Sequence, residues 1–414
     1  MLDRQTPVQE PGTPPVMPDD VPAAFVYDGR RPMIATLIVA SALSPLAINI
    51  FIPSMASIAG DLSASSTQVG LGLSLYLAAT ALIQLVAGPL SDRFGRRPII
   101  LAGMVLFLFG TLLCILAPTI ELFLAGRITQ AASATGIALS RAVVRDVFPR
   151  EQAASMLGYI TMGYAVAPMF GPAIGGFIDI WAGWRAVFWL LGGIGVLTIA
   201  LVYFDLSETN TRRGQAMRAQ WRGYGLLVRT PAFWSYTGLA ALVSAVFFAF
   251  LGAAPFIAVQ GLGMSPAAYG IWFMLCSIGY IAGNFLVGRL SESVGLQRLA
   301  ILGAALSSCG AGICVVAFGF GWVSPLTLFG PLLIVGFGNG LAVPTSTAGG
   351  LSVRPEAAGA AAGLLGACQI GAGALTTVLA ASLSSSPFAV AVLMLVLGLG
   401  SFACALSTRR EPAA

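Results

Sequence analysis

Long apolar runs alternate with short polar breaks along almost the whole chain. Mostly apolar stretches occupy roughly 33–53, 67–90, 98–117, 120–144, 153–178, 183–204, 232–255, 266–289, 298–318, 323–349, 359–382 and 386–406. A helix needs about 20 such residues to cross a bilayer's hydrocarbon. The pattern therefore predicts an all-α membrane protein with twelve transmembrane helices. Residues 1–32 are polar, contain seven prolines and read as a disordered tail. They are too long and too acidic for a secretory leader. The longest interior polar stretch, "DLSETNTRRGQAMRAQWRGYGLLVRTP" at 205–231, follows span six. The expected organisation is a tail over 1–32, a six-helix half over 33–204, a linker over 205–231, a second half over 232–406 and a tail over 407–414.

Composition sharpens this picture. Of 414 residues, 57% are hydrophobic and 9% charged, against roughly 25% charged in soluble domains. All 21 basic residues are arginine. With the N-terminus in the cytoplasm, every arginine lies on the cytoplasmic side except Arg185 outside and Arg127 and Arg141 within span four. The reverse orientation would put that excess outside, against the positive-inside rule. Both termini are thus expected in the cytoplasm, in a bacterial inner membrane. The net charge of +5 needs no nucleic-acid partner. Lys and His are absent, which removes a phosphate-gripping lysine, a Schiff base and an imidazole base or ligand. No enzyme activity, metal or cofactor is expected. The six cysteines fall in apolar segments and read as packing residues.

The chain also repeats itself. "AGPLSDRFG" at 87–95 aligns with "VGRLSESVG" at 287–295, an offset of 200, with Asp92 replaced by Glu292. The same offset pairs Gly163, Ala167 and Gly171 with Gly363, Ala367 and Gly371. Two separated matches at one offset imply parallel halves, the architecture of a large class of secondary transporters. In the loop after span two, Gly88 and Gly95 permit sharp turning. Asp92 can accept from a helix N-terminus, for which span 11 is a candidate. Arg96 or Arg97 can pair with Asp146. Such contacts, with Arg93, would latch one mouth; a solvated loop is the plain alternative. In span five, Gly163, Ala167, Gly171 and Gly175 form one small-residue row, and Pro168, Pro172 and Gly176 a second. Small residues at this spacing let helices approach closely, and the prolines remove backbone hydrogen bonds.

"GPLSDRFGRRP" resembles the loop signature of the major facilitator superfamily. "GYAVAPMFGPAIGG" at 163–176 resembles the antiporter motif of its drug-efflux members, and "RITQAASATG" at 127–136 their span-four motif. "LSPLAINIFIPSMASIAGDL" at 43–62 and "RAVVRDVF" at 141–148 are similar to the Bcr/CflA drug-resistance branch. The resemblance implies a twelve-helix facilitator fold whose span five favours export, with Gly88, Asp92, Arg93, Gly95, Arg96, Asp146, Gly171 and Pro172 in the gates. It places Arg127 facing the transport cavity near span one. From the residues alone, a buried arginine faces a cavity or a partner, or snorkels to the interface.

Asn49, Gln84 and Gln130 are the polar companions expected for Arg127. Tyr236, Phe248, Trp272 and Asn284 are the second half's candidates for substrate contact. One departure stands out: the branch commonly carries an aspartate at the position of Asn49. Asp179 and Glu121 lie at outer span ends, Asp61 in an outer loop, and Asp92, Asp146, Glu292 and Glu356 at the cytoplasmic face. Proton coupling usually uses a membrane-embedded carboxylate, and none is expected near the midplane. The reading is an exporter of small amphipathic compounds or drugs, proton-linked, monomeric and surrounded by lipid. Uptake or exchange of a metabolite or siderophore by the same fold, and a membrane sensor, are the alternatives.

Overall fold

The structure is a computed structural model that describes residues 31–148, 150–210, 223–354 and 357–408. Almost all of residues 1–32, the middle of the linker, Glu356 and the end of the C-terminal tail lie outside that set. The described chain is helical throughout, with twelve long units. These are α1 (Ile34–Asp61, interrupted by a 3-10 turn at Ile52–Ser54), α2 (Ser66–Phe94), α3 (Arg96–Leu116) and α4 (Ile120–Gln130 and Ala134–Val147). There follow α5 (Arg150–Ala182), α6 (Trp184–Asp205), α7 (Pro231–Gly261, ending in a π turn) and α8 (Pro266–Val294). The last four are α9 (Leu296–Gly319), α10 (Pro325–Ser352), α11 (Ala358–Ser382) and α12 (Pro387–Ser407).

Among the described residues, ten helices are individually long and apolar enough to cross a membrane. The two units outside that count are α4 and α5. The sequence predicts α4 as one run, but a 3-10 turn at Ala131–Ser133 divides it into pieces of 11 and 14 residues. The Ser133 hydroxyl lies 3.0 Å from the Gln130 carbonyl and 2.8 Å from the Tyr76 hydroxyl at that turn. The 33-residue α5 contains positions whose side chains are not described, Gly163 and Pro168 among them.

Local chemistry sets the helix ends. Ser65 caps α2 in a reciprocal box with Gln68, and Ser324 caps α10 in the same way with Thr327. Pro266, Pro325 and Pro387 occupy the first turns of α8, α10 and α12, where a missing N–H costs nothing. At the other face, Gly95 and Gly295 end α2 and α8 with φ of +106° and +89°. Only glycine adopts this backbone without strain. Both helices therefore run about a turn beyond the apolar stretches that predict them, carrying charged residues out of the hydrocarbon.

Helices α1–α6 pack mainly on one another, as do α7–α12. Glycines make the close contacts: Gly110 lies on Gly126, Gly283 on Gly340 and Gly303 on Gly338. Lipid tails are as apolar as leucine, so such contacts win by backbone proximity and dispersion. Two helix pairs, α5 with α8 and α2 with α11, join the two groups.

Candidate transport pathway and gates

Away from the arginine-rich face, the two groups meet tightly. A Cβ on Gly176 would strike the Pro266 carbonyl, one on Gly270 the Pro172 carbonyl, and one on Gly70 the Ala381 side chain. Ser74 on α2 donates to the Ala374 carbonyl on α11 at 2.8 Å. The two rows of α5 have different partners. Gly171 and Gly175 lie against the end of α1's first helix, where a Cβ on Gly171 would sit 3.4 Å from the Asn49 Cβ and one on Gly175 would strike the Ile50 carbonyl. Pro172 and Gly176 face the first turns of α8. Helix α5 is thus the wedge between α1 and the second group, and its prolines leave it one continuous helix.

Arg127 differs from its expectation. Its side chain is fully buried, with none of its surface exposed. Its guanidinium donates to Gln130 Oε1 at 2.7 Å, to the Gly72 carbonyl at 3.2 Å and through both terminal nitrogens to the Ala47 carbonyl at 3.3 Å. The Phe51 and Tyr76 rings cover it, with centroids 4.0 and 4.5 Å from the guanidinium carbon. Gln130 passes the contact on to Thr111 of α3 at 2.8 Å. Tyr76 sits between Ser44 and Ser133, 2.9 and 2.8 Å from their hydroxyls. One cation therefore ties together α1, α2, α3 and α4. The five donors of arginine suit this role, because each can meet a carbonyl in a place where no water is available.

The remaining candidates are dispersed. Asn49 is buried, donates to the Pro45 carbonyl at 2.8 Å, and has an Oδ1 with no protein partner. It lies on α1 beside Gly171 but makes no hydrogen bond to Arg127. Gln84 reaches across to α11, where its Oε1 lies against Gly366. Tyr236 packs on Gly349, and Phe248 on Gly373. Trp272 stacks on Phe329 with centroids 6.1 Å apart, and Asn284 donates to the Tyr280 carbonyl of its own helix. Sequence reasoning missed a further link, Gln369 of α11 donating to Ser244 of α7 at 2.8 Å. Both residues lie in apolar surroundings at no recognisable spacing.

At the arginine-rich face, Arg96 is the hub. It contacts Asp92 at 2.5 Å, Asp146 at 3.0 Å, and the Ser91 hydroxyl. Arg97 does not take the Asp146 contact; it donates to the Tyr203 carbonyl at 2.7 Å and lies over that ring. Arg93 is exposed and covers Phe94. Asp92 was expected to meet the start of span 11; among the described residues its carboxylate pairs with Arg96, four residues on across the Gly95 turn. The start of the linker completes this knot. Glu208 accepts from the Arg96 backbone N–H at 2.9 Å, capping α3, and its side chain fills the space a Cβ on Gly95 would need. Asn210 donates to the Asp92 and Ser91 carbonyls at 2.9 and 3.2 Å. Gly88 contributes the carbonyl that the Ser91 hydroxyl meets. Further along, residues 223–228 are helical and lie under α11, where Gly223 meets Ala360 and Tyr224 OH comes within 3.5 Å of the Leu85 carbonyl on α2.

Carboxylates hold both ends of α1. Asp205 of α6 accepts from the Met33 backbone N–H at 2.8 Å and the Thr36 hydroxyl at 2.7 Å. Asp179 of α5 accepts from the Ser57 hydroxyl at 2.7 Å at the other end. Nearby, Asp61 takes Arg185 at 2.5 Å and the Trp184 indole at 3.1 Å.

Residues 37–377 match the family model "Major Facilitator Superfamily". The chain is 33% identical over 275 residues to an uncharacterized MFS-type transporter, YdgK, of Bacillus subtilis, covering 64% of this chain and 68% of that one. It is 29% identical over 338 residues to a chloramphenicol resistance protein of Pseudomonas aeruginosa, covering 80% of each. It is 30% identical over 358 residues to a bicyclomycin resistance protein homolog of Haemophilus influenzae, covering 84% of this chain and 89% of that one. The fold also superposes, with a TM-score of 0.69 at 18% identity, on a bacterial homolog of the human lysosomal transporter Spinster solved in an inward-facing, unoccupied conformation, covering 92% of this chain and 98% of that one. With the family model spanning most of its helices, the chain belongs to the major facilitator superfamily, within its Bcr/CflA-like drug-resistance branch.

Proposed function

We propose that this multi-pass membrane protein is a secondary transporter that exports small amphipathic compounds, drugs among them, by alternating access. The observation that carries this reading is the α5 wedge, with one glycine row on α1 and the other on α8. Contacts that close are either made or absent, so two packed arrangements are favoured over intermediate ones. The names of the relatives, resistance to chloramphenicol and to bicyclomycin, suggest the substrate class. In this reading the arginine-rich face is cytoplasmic, both termini lie there, the membrane is the bacterial inner membrane, and the monomer is the working unit. The two six-helix groups act as halves joined by the linker, and the tight face is the outer gate. Gln84, Tyr236, Trp272 and Asn284, all partly accessible, are the best placed to meet substrate. Arg127, with Gln130, holds the first half together. The exporter is proton-linked.

The test is a susceptibility panel in a host stripped of its own pumps, followed by transport into oriented vesicles. Protection that depends on expression, with accumulation in inside-out vesicles, is expected. Accumulation in right-side-out vesicles only would replace export by uptake.

A further inference from the structure

Among the described residues, two buried carboxylates form no salt bridge, Asp205 and Asp179, at opposite ends of α1. Their surroundings differ in sign. Asp205 accepts two hydrogen bonds at the N-terminus of α1, where the helix dipole stabilises an anion. Asp179 lies in the last turn of α5, which ends at Ala182. There the dipole opposes negative charge. Its carboxylate accepts one bond from Ser57, with Ser54 beside it, and it is 8% exposed.

The cation at the start of α6 is already committed. Arg185 bonds to Asp61 and to the Ile115 and Ala117 carbonyls. The other ionisable or polar groups from neighbouring elements do not compensate. They are Asp61 itself on the same short helix as Ser57, Trp184 bonded to Asp61, exposed Glu121 at the start of α4, and Tyr269 in the first turns of α8, whose ring packs on Phe273 and Phe329. Residues Phe256–Gly261 at the end of α7 include no ionisable group. A largely buried carboxylate at a helix C-terminus, with one hydroxyl donor and no salt bridge among the described residues, is poorly stabilised as an anion.

Position gives this group a role. Asp179 is one turn beyond Gly175, which abuts Ile50, and Gly176, which abuts Pro266. It therefore borders the seam where α5 closes on α1 and α8. We infer that Asp179 is a proton-binding site of the outer gate: the sealed arrangement holds the neutral acid, and opening hydrates the carboxylate and releases its proton to the outer solvent. By linkage, a ligand that binds one state better shifts the equilibrium toward it. The proton favours the sealed state, so sealing strengthens as outer pH falls and weakens as it rises. This inference rests on alternating access, and it adds a site that the loss of aspartate at position 49 does not supply.

The experiment places spin labels across the outer gate by Trp181→Cys and Ser265→Cys in an otherwise cysteine-free full chain, reconstituted in nanodiscs. Distances are read from acidic to alkaline pH, with and without chloramphenicol. In the parent, the long-distance population should grow as pH rises. Asp179→Asn mimics the neutral acid and should hold the short distance at every pH. A purely structural Asp179–Ser57 bond predicts the opposite, since weakening it would loosen the gate. Asp179→Glu should keep a pH response, and Asp205→Asn and Asp61→Asn should leave it in place. An Asp179→Asn protein that opens with pH like the parent overturns the site. A parent whose distance changes with neither pH nor chloramphenicol overturns alternating access and the site with it. In the infrared spectrum, the protonated-acid carbonyl band at neutral pH should vanish in Asp179→Asn alone; a band unchanged there also overturns the site.

Discussion

The loops after α2 and α8 share short sequence matches at an offset of 200 residues, yet they do different things. In the first half, the loop after α2 is knotted: Arg96 holds Asp92 and Asp146, and Glu208 caps α3. In the second, the loop after α8 has the same turn at Gly295 but an exposed Glu292 and an Arg289 lying over Phe285. Among the described residues, no salt bridge forms there. The helices at the 200-residue offset diverge in the same way. Gly171 and Gly175 of α5 face α1 closely, whereas Gly371 of α11 has open space beside it and the partner of Gly175 is Leu375, 64% exposed. Across the two matched loops the backbone turn is shared and the side-chain contacts are not. The first half is the one built for close, switchable packing.

Substitutions at paired positions test this asymmetry. The largest effect is expected at α5. Gly175→Leu should abolish transport, because overpacking costs about 1–3 kcal/mol and here the obstacle is the Ile50 backbone. Gly171→Leu should block or uncouple it similarly, while Gly371→Leu should transport normally. Vesicle transport normalised to expression decides; equal damage at Gly171 and Gly371 would erase the contrast between the helices.

Next comes Arg127. Its removal strands Gln130 and the Gly72 and Ala47 carbonyls, and hydrogen bonds to charged groups are each worth about 1.5–3 kcal/mol. Arg127→Leu should lower the melting temperature of the purified protein strongly. Arg127→Lys should recover only part of it, since an ammonium cannot fork to three helices. A lysine variant as stable as the parent would mean that charge alone matters.

A smaller effect is expected at the loop. Asp92→Asn should slow turnover while leaving insertion intact, because it removes one of the two carboxylates that a largely enclosed Arg96 holds, and Glu292→Gln should be silent. Initial transport rates at matched expression check this; a slow Glu292→Gln would show that the second loop works too. Smallest is Glu208→Gln, which weakens a helix N-terminal charge worth about 0.3–1 kcal/mol. It should shift melting by little and sensitise Asp92→Asn further, as a double-mutant cycle would reveal.

Much of the fold was legible in the chain. Hydropathy gave the helices; of the two glycines expected to turn after span two, Gly95 does and Gly88 stays within α2. The Arg96–Asp146 pair was among the expected contacts. Arg127 was expected at a cavity and proved enclosed, because its partners are backbone carbonyls of Gly72 and Ala47, and carbonyls leave no trace in sequence. Glu208 and Asn210 were missed because they sit in an unremarkable polar run more than a hundred positions from the loop they bind. Asp179 was visible as an acid at a helix end. That it is buried beside Ser57 and beyond reach of Arg185 was not.

The sequence by itself determined which segments are helical and apolar, where helices stop, and on which face arginine accumulates. Those properties follow from each residue's own transfer free energy and backbone freedom, which neighbours in the chain suffice to express. Only the tertiary structure decided which glycine meets a backbone, which cation is already paired, and which carboxylate is enclosed without one. Each of these depends on atoms brought close from distant parts of the chain, and both electrostatic and packing energies are set by those distances and by the exclusion of water around them.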